Sequence, residues 1–397
     1  MPQKKLPRLR GMDNVREDEE LEQFGDSASL FVRDAININF TSAGRAELRQ
    51  EMKLATDQAL RCLWQSPLHK DCFAALGSYW CKVDTETWQT EQLIECGPGD
   101  VFHIVLNNMI CMACDEGLFS YDGQTAKRMT IDTPAKPQAS VTGSTGSLDA
   151  MAYNFAISWV SGGLESALSE MEHIELPQKG SLQLLFPMCL DPMVTHVRVY
   201  MSDAGGGELR QATELPVSDL SLNLSILPEL GRAATFQYLS PMKTGSFLRE
   251  WLGRLWVVRA NVLYFSEAMT YHLTDDRYNF IQFPQRIRFI EPVDGGIWVG
   301  LADHVVFLRG QDVKSMSIEH KASRAPMYGS STLLHSDMIK ELSQSGAWCA
   351  VWLAENGFVA GTADGQMIEL QYKTIQGISA ESCQLVGFAD RLVSVVN

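Results

Sequence analysis

The chain has no hydrophobic run long enough to cross a bilayer, and basic residues are the minority among its charged residues. A transmembrane helix needs roughly 20 consecutive apolar residues, so we expect no membrane insertion. Acidic residues outnumber basic ones by 48 to 33, which gives a formal net charge of −15. A surface that grips DNA needs clustered lysine and arginine. The charge therefore argues against tight DNA binding, but it is compatible with a wall past which DNA slides.

Residue groupings typical of metal sites and catalytic centres are also scarce. Of nine cysteines, only Cys111 and Cys114 form a CxxC pair, and no second pair or nearby histidine completes a zinc set. We interpret the cysteines as buried thiols in a reducing compartment. The segment GLESALSE lacks the Gly-x-Ser-x-Gly spacing of a nucleophile elbow. We expect no cofactor, no metal ion and no catalytic residue.

Besides a non-catalytic role, the sequence leaves two other functions open. Asp275 and Asp276, with His272 nearby, could cleave glycans as paired acids, although acids in loops more often stabilise a turn. His304 lies on a predicted strand with apolar neighbours and is expected to be packed or partly exposed rather than to act as a base. One or two of the nine tryptophans could stack on a sugar, while core packing explains most of them. The alternatives are thus a glycan-cleaving protein and a carbohydrate-binding module.

Short strands separated by turn residues dominate the chain. GGIWVGLADHVVFLRG, residues 295–310, has the pattern of two strands joined by a tight turn, and WLAENGFVAGTADGQMIEL, residues 352–370, repeats it. Turn signals such as Asn107-Asn108 recur about every eight to twelve residues, as in sandwiches and propellers. Related phrases return about every forty residues, which is the length of a four-stranded blade. We predict an all-β fold, a β-propeller of about five to seven blades.

A segment rich in Pro, Ser, Thr and Gly at residues 134–146 interrupts this pattern. After it, Tyr153, Phe155, Ile157 and Trp159 alternate along one face of a predicted strand. We predict an inserted β-sandwich between two parts of the propeller. The predicted domains are an extended N-terminal arm (1–28), a first propeller part (29–133), the insert (134–238) and a second propeller part (239–397). To close the ring, AININF near the start is expected to pair with RLVSVV near the end.

In its order of motifs the chain resembles the tail-nozzle β-propellers of short-tailed bacteriophages, also called tubular tail or tail-stabilisation proteins. The resemblance spans nearly the whole chain, and its phrases are GMDNV, LFVRDAININFTSAGRAELR, YNFAISWVSGGLESALSE, VTHVRVYMS, GRLWVV, NVLYFSE, IEPVDGGIWVGLADHVVFLRG and NGFVAGTADGQMIEL. The resemblance implies that the inserted sandwich is fibronectin-like. A tail-tip protein of a long-tailed phage could share the same pattern.

The resemblance implies a structural protein of the virion tail that is assembled in the host bacterial cytoplasm. Subunits of this family form a homo-oligomeric ring of about six copies below the head–tail adaptor. The ring encloses the channel through which genomic DNA passes without specific binding, and it offers attachment sites for tail fibres or spikes. From its position, the N-terminal arm is expected to reach a neighbouring subunit through Arg8, Arg10 and Asn14.

Overall fold

The computed structural model describes residues 8–23, 29–49, 53–342, 346–388 and 391–397. Within these ranges the chain is all-β, and its helical turns are three short 3-10 segments, Asp18–Glu20, Ser336–Met338 and Lys340–Leu342. No helix in this part of the chain has the length and hydrophobicity needed to cross a membrane. The chain divides into two compact units. The first unit comprises Met1–Gln58, Ala260–Val262 and Gln282–Asn397, and the second comprises Ala59–Arg259 and Leu263–Ile281.

The first unit begins with five short strands: β1 (Arg8–Met12), β2 (Glu22–Gln23), β3 (Ser29–Val32), β4 (Ile38–Phe40) and β5 (Ala46–Leu48). The strand order of the first sheet is β1-β3-β2, with β1 parallel to β3. Strands β4 and β5 form a hairpin whose turn includes Gly44 at a φ of +79°. A Cβ at Gly44 would lie 2.6 Å from the Cβ of Arg8, so only glycine lets this turn pass against β1.

The second unit opens with two four-stranded antiparallel meanders. Their strands are β6 (Arg61–Gln65), β7 (Cys72–Leu76), β8 (Tyr79–Val83), β9 (Thr90–Glu95), β10 (Phe102–Leu106), β11 (Met109–Cys114), β12 (Gly117–Tyr121) and β13 (Ala126–Arg128). In each meander, strands that are neighbours in sequence are neighbours in the sheet. Asn107 and Asn108 both have positive φ and join β10 to β11 directly, which confirms the predicted two-residue turn.

A β-sandwich follows in the same unit. Its strands are β14 (Gln138–Leu148), β15 (Ala152–Ser161), β16 (Leu164–Glu165), β17 (Glu172–Glu175), β18 (Gly180–Leu185), β19 (His196–Met201), β20 (Arg210–Pro216) and β21 (Ser221–Leu224). One sheet has the order β14-β18-β21, and the other has the order β16-β15-β19-β20 with β17 also paired to β15. The predicted apolar face of β15 packs in a core with Leu182 and Leu184 of the opposite sheet.

Three further meanders and a final hairpin complete the chain. The strands are β22 (Ser240–Pro241), β23 (Ser246–Trp251), β24 (Arg254–Arg259), β25 (Val262–Phe265), β26 (Leu273–Thr274), β27 (Phe280–Gln282), β28 (Ile287–Val293), β29 (Gly296–Leu301), β30 (Val305–Arg309), β31 (Ser317–Lys321), β32 (Pro326–His335), β33 (Trp348–Ala354), β34 (Gly357–Gly361), β35 (Met367–Glu369), β36 (Cys383–Phe388) and β37 (Arg391–Val396). The meanders are β23-β24-β25-β27, β28-β29-β30-β31 and β32-β33-β34-β35, while β22-β26 and β36-β37 are two-stranded.

The five four-stranded meanders have the topology of propeller blades. Together with the sandwich they confirm the predicted fold class, an all-β propeller with an inserted sandwich. The described residues contain five such blades, within the predicted range. The domain boundaries at residues 28, 133 and 238 stay predictions.

The predicted pairing of AININF with RLVSVV is wrong for the residues that the structure describes. Strand β4 pairs with β5, and β37 pairs with β36. Each segment thus forms a hairpin with its neighbour in sequence, which requires closing only a short loop.

Within the second unit, adjacent blades pack through a buried aromatic cluster around His103. The imidazole stacks on the ring of Trp64 with centroids 5.1 Å apart, and its Nε2 accepts a hydrogen bond of 3.0 Å from the indole N–H of Trp80. The residue keeps some solvent exposure, yet its ring is enclosed by these aromatics. Burial lowers the pKa of His103 to about 3. The neutral imidazole is therefore the form that fits this cluster.

We expect acid to destabilise the protein through His103. The pKa is about 6.5 when unfolded and lower when folded, so the unfolded chain binds the extra proton. This stability is fully present above pH about 6.5 and is lost as the pH falls towards 3. The variant His103→Gln keeps an acceptor for the Trp80 N–H but does not titrate in this range. Between pH 7 and pH 5 its free energy of unfolding should therefore fall by about 1–2 kcal/mol less than that of the parent. Urea denaturation of the parent and the variant at pH 7 and pH 5 measures the free energies of unfolding. Equal losses in the two proteins would contradict the role of His103.

Candidate assembly surface

The predicted arm residues Arg8 and Arg10 lie on β1, which is built into the sheet of their own chain. Both side chains are exposed, whereas Leu9 between them is half-buried. The backbone N–H of Leu9 donates to the carbonyl oxygen of Gly44 at 3.0 Å. The described part of the arm is therefore held by backbone pairing on both sides of β1, and the two arginines project from it. The arm residues before Arg8 lie outside the described residues.

Asn14, the third predicted residue, is bonded within its own chain to the loop at residues 374–376. Its backbone N–H donates to the carbonyl of Thr374 at 2.9 Å, and its side-chain Nδ2 donates to the carbonyl of Gln376 at 2.9 Å. In return, the backbone N–H of Gln376 donates to Oδ1 of Asn14 at 2.9 Å, and the Gln376 side chain donates to the Asn14 carbonyl at 3.2 Å. The structure thus separates the role of Asn14 from that of Arg8 and Arg10.

Asp13 fixes the chain direction where the arm leaves β1. Its fully buried side chain accepts hydrogen bonds of 3.1 Å from the backbone N–H groups of Val15 and Arg16, and pairs with the Arg16 guanidinium at 2.7 Å. The same guanidinium lies over the ring of Phe31, 4.8 Å from its centroid. The N-terminal segment is consequently an ordered platform that carries exposed basic residues.

The acids considered for catalysis each pair with a basic residue. Arg277 holds both oxygens of Asp275 at 2.8–2.9 Å, and these hydrogen bonds lower the pKa of Asp275. Asp276 pairs instead with Lys243 at 2.9 Å. His272 bonds to a backbone carbonyl, that of Glu165, at 3.0 Å, and burial lowers its pKa. Each of these three groups is thus bonded to a different partner.

The CxxC pair lies within β11, where side chains alternate between the two faces of the sheet. A spacing of three puts Cys111 and Cys114 on opposite faces, and they belong to different core clusters. Burial raises the pKa of Cys111 to about 12 and also raises that of Cys114. All nine cysteines, each within the described residues, are free thiols. The described residues hold no group of three His, Cys, Asp or Glu side chains suited to a metal ion.

His304 is half-buried and lies directly before β30, not within a strand as predicted. Its Nδ1 pairs with Asp303, and its Nε2 lies 3.2 Å from Nδ1 of His320. Hydrogen bonds from Gln285 and His304 lower the pKa of Asp303. Sequence reasoning missed this contact because His320 lies on the neighbouring strand β31.

The tryptophans divide by environment as the sequence suggested. Trp80, Trp256, Trp298 and Trp352 are fully buried. Trp348, at the start of β33, is 54% exposed, and its ring meets that of His335 nearly edge-on at 5.6 Å. Trp348 is the most exposed of the nine tryptophans, and no periodicity in the sequence distinguishes it.

No family model and no curated protein sequence matches the chain. Solved structures that it resembles include the BBS1 fragment BBS1N in complex with ARL6DN, with 9% identity, a TM-score of 0.33, and coverage of 85% of this chain and 90% of that one. Hsv2 from Kluyveromyces lactis matches with 6% identity, a TM-score of 0.31, and coverage of 82% and 86%. BamB from Moraxella catarrhalis matches with 10% identity, a TM-score of 0.32, and coverage of 82% and 80%.

Proposed function

We propose that this β-propeller protein is a structural subunit of a bacteriophage tail, a nozzle protein that assembles into a ring below the head–tail adaptor. The observation that carries the proposal is the order of elements along the chain. Blades β6–β13 come first, the sandwich β14–β21 follows, and blades β23–β35 come after it. This is the order expected from the family that the sequence resembles.

Charge supports a role in passing DNA rather than binding it. The net charge of −15 repels phosphates, so a ring of such subunits would let the genome move without adhering to the wall. The scattered, individually paired groups around Asp275 and Asp276 support a non-catalytic role. In this proposal the partners are further copies of the chain, the adaptor, and tail fibres or spikes.

Immunogold labelling of intact particles from the source culture tests the proposal. An antibody raised to this chain is expected to place gold at the tail, below the head. Unlabelled particles with the protein free in the lysate would overturn the tail role.

We expect Arg8→Glu combined with Arg10→Glu to abolish tail assembly while the monomer stays folded. Both side chains are exposed on β1, so reversing their charge should disturb a neighbouring subunit more than the fold. Electron microscopy of particles made with the variant, together with circular dichroism of the purified chain, measures both effects.

A matched control is Lys314→Glu with Arg324→Glu, which reverses two exposed charges elsewhere in the first unit. If the control fails to assemble as well, or if the arm variant assembles normally, the arm has no specific role.

A second candidate function is binding of a host-surface carbohydrate, and the exposed ring of Trp348 is the observation that favours it. Aromatic faces stack on apolar faces of other ring compounds when one side stays open to solvent. Binding of the isolated protein to a glycan panel, and its loss in Trp348→Ala, would favour this function if the particles stay unlabelled.

A further inference from the structure

The hairpin β4–β5 exposes one edge and much of one face. All three residues of β5 are exposed, and Leu48 is 85% exposed. Ile38 lies opposite Leu48, and Phe40 lies opposite Ala46. Since side chains alternate along strands, these four apolar residues share one face. In the part of the chain that the structure describes, β5 has no strand partner other than β4.

The hairpin β36–β37 has a similar form at the other end of the same unit. Its inner face packs on the blade β32–β35 through Leu385 and Leu392. Its outer face carries Val386, Val393 and Val395, which are 55%, 40% and 55% exposed. Val386 and Val393 are directly opposite each other. Among the described strands, β37 pairs with β36 alone.

Two-stranded ribbons with an uncovered apolar face are marginally stable in water, and an open strand edge readily accepts another strand. The five blades found in the described ranges each have four strands, whereas these two hairpins have two each. Two hairpins together therefore supply the strand number of one blade. The described residues do not pair β4–β5 with β36–β37 of their own chain.

We propose that β5 of one copy pairs with β37 of a second copy, so that the two hairpins form a four-stranded sheet shared between subunits. Main-chain hydrogen bonds along the open edges would join the copies. Leu48 would extend the valine face of the second copy. The contact is heterologous, because β5 of one copy meets β37 of the next. Heterologous contacts generate closed rings when successive rotations between subunits add up to a full turn. This inference rests on the proposed ring-forming function and names the surfaces that join its subunits.

A second copy is the partner that the strand count favours, because every copy carries both halves of the proposed sheet. The prediction is tested with two variants that each damage one half. Leu48→Glu places a charge on the face beside β5 and leaves β37 intact, whereas Val395→Glu does the reverse. Light scattering coupled to size-exclusion chromatography measures the mass of the full chain over a concentration series.

The wild-type protein is expected to form multimers as its concentration rises. Each single variant should still be monomeric at a concentration at least about tenfold above the one at which the wild type assembles, which corresponds to a loss of about 1.4 kcal/mol in the free energy of association. An equimolar mixture of the two variants should form dimers, because one intact β37 edge then meets one intact β5 edge. Leu190→Glu, at a leucine that is 87% exposed in the sandwich, should assemble as the wild type does. Circular dichroism checks that each variant is folded, and Val386→Glu replaces Val395→Glu if the latter is not.

A wild type that is monomeric at every concentration, single variants that still assemble, or a mixture that stays monomeric would each overturn the shared sheet. The outcomes also separate this inference from the proposed function. Gold at the tail combined with assembling variants would reject the shared sheet and keep the tail role. Unlabelled particles combined with dimers in the mixture would reject the tail role and keep the interface.

Discussion

Replacing Glu165 by alanine is expected to destabilise the protein by about 3–5 kcal/mol, the cost of removing one partner from a buried ion pair. The carboxylate is 6% exposed. It pairs with Arg198 and, at 3.0 Å, with Arg232, and it accepts hydrogen bonds from Tyr200 at 2.6 Å and Ser158 at 2.8 Å. Its removal leaves several buried donors without an acceptor. Urea denaturation of the full chain measures the loss.

A surface ion pair in the same sandwich provides the control for Glu165. Lys179 lies 3.2 Å from Asp149, and both side chains are more than 60% exposed. Lys179→Ala should therefore cost no more than about 1 kcal/mol. Burial and the bond to Glu165 also raise the pKa of Tyr200 to about 12, so Glu165→Ala should lower this pKa in a spectrophotometric titration. A loss near that of Lys179→Ala, with an unchanged tyrosine titration, would contradict the network.

Local features of this fold could be predicted because their causes lie within a few residues. The turn at Gly162-Gly163 needs two positive φ angles, which glycine adopts without strain, and the structure has 54° and 90° there. The buried face of β15 follows from alternation alone. The number of strands in a blade could also be predicted, because a repeat of about forty residues is the length of four short strands and their turns.

The long-range features could not be predicted in the same way. Glu165 meets Arg198 and Arg232 across 33 and 67 residues, and nothing near it in the sequence distinguishes it from a surface acid. The same applies to RLVSVV, whose alternation indicates a strand but not which neighbour it pairs with. Asn14 bonds to a loop 362 residues away along the chain, and no residue near it in the sequence indicates this contact. Such contacts depend on how segments distant in sequence pack together, which a single sequence does not encode locally.

Stacking of neighbouring blades leads to the prediction that Gly361→Ala costs about 1–3 kcal/mol, although a single methyl group is added. A Cβ at Gly361 would lie 2.4 Å from Cε2 of Trp298. The indole cannot easily move aside: it is fully buried, its N–H donates to the carbonyl of Thr362 at 3.0 Å, and Trp352 lies against it with centroids 5.4 Å apart. Closely packed interiors transmit such a clash to the surrounding strands.

Gly207→Ala isolates the packing effect, because a Cβ there meets no atom within 4 Å and the backbone φ is not in the left-handed region. Gly207→Ala should be neutral or stabilise the protein by about 0.4–1 kcal/mol, because alanine lowers the conformational entropy of the unfolded chain. Gly361→Ala, in contrast, should destabilise it. Trp298→Phe removes the indole Nε1 and shrinks the ring system. In this background Gly361→Ala should lower the free energy of unfolding by less than it does in the parent. Urea denaturation of the four combinations gives the coupling between the two positions. A coupling of zero would mean that the cost of Gly361→Ala does not arise from contact with the indole of Trp298.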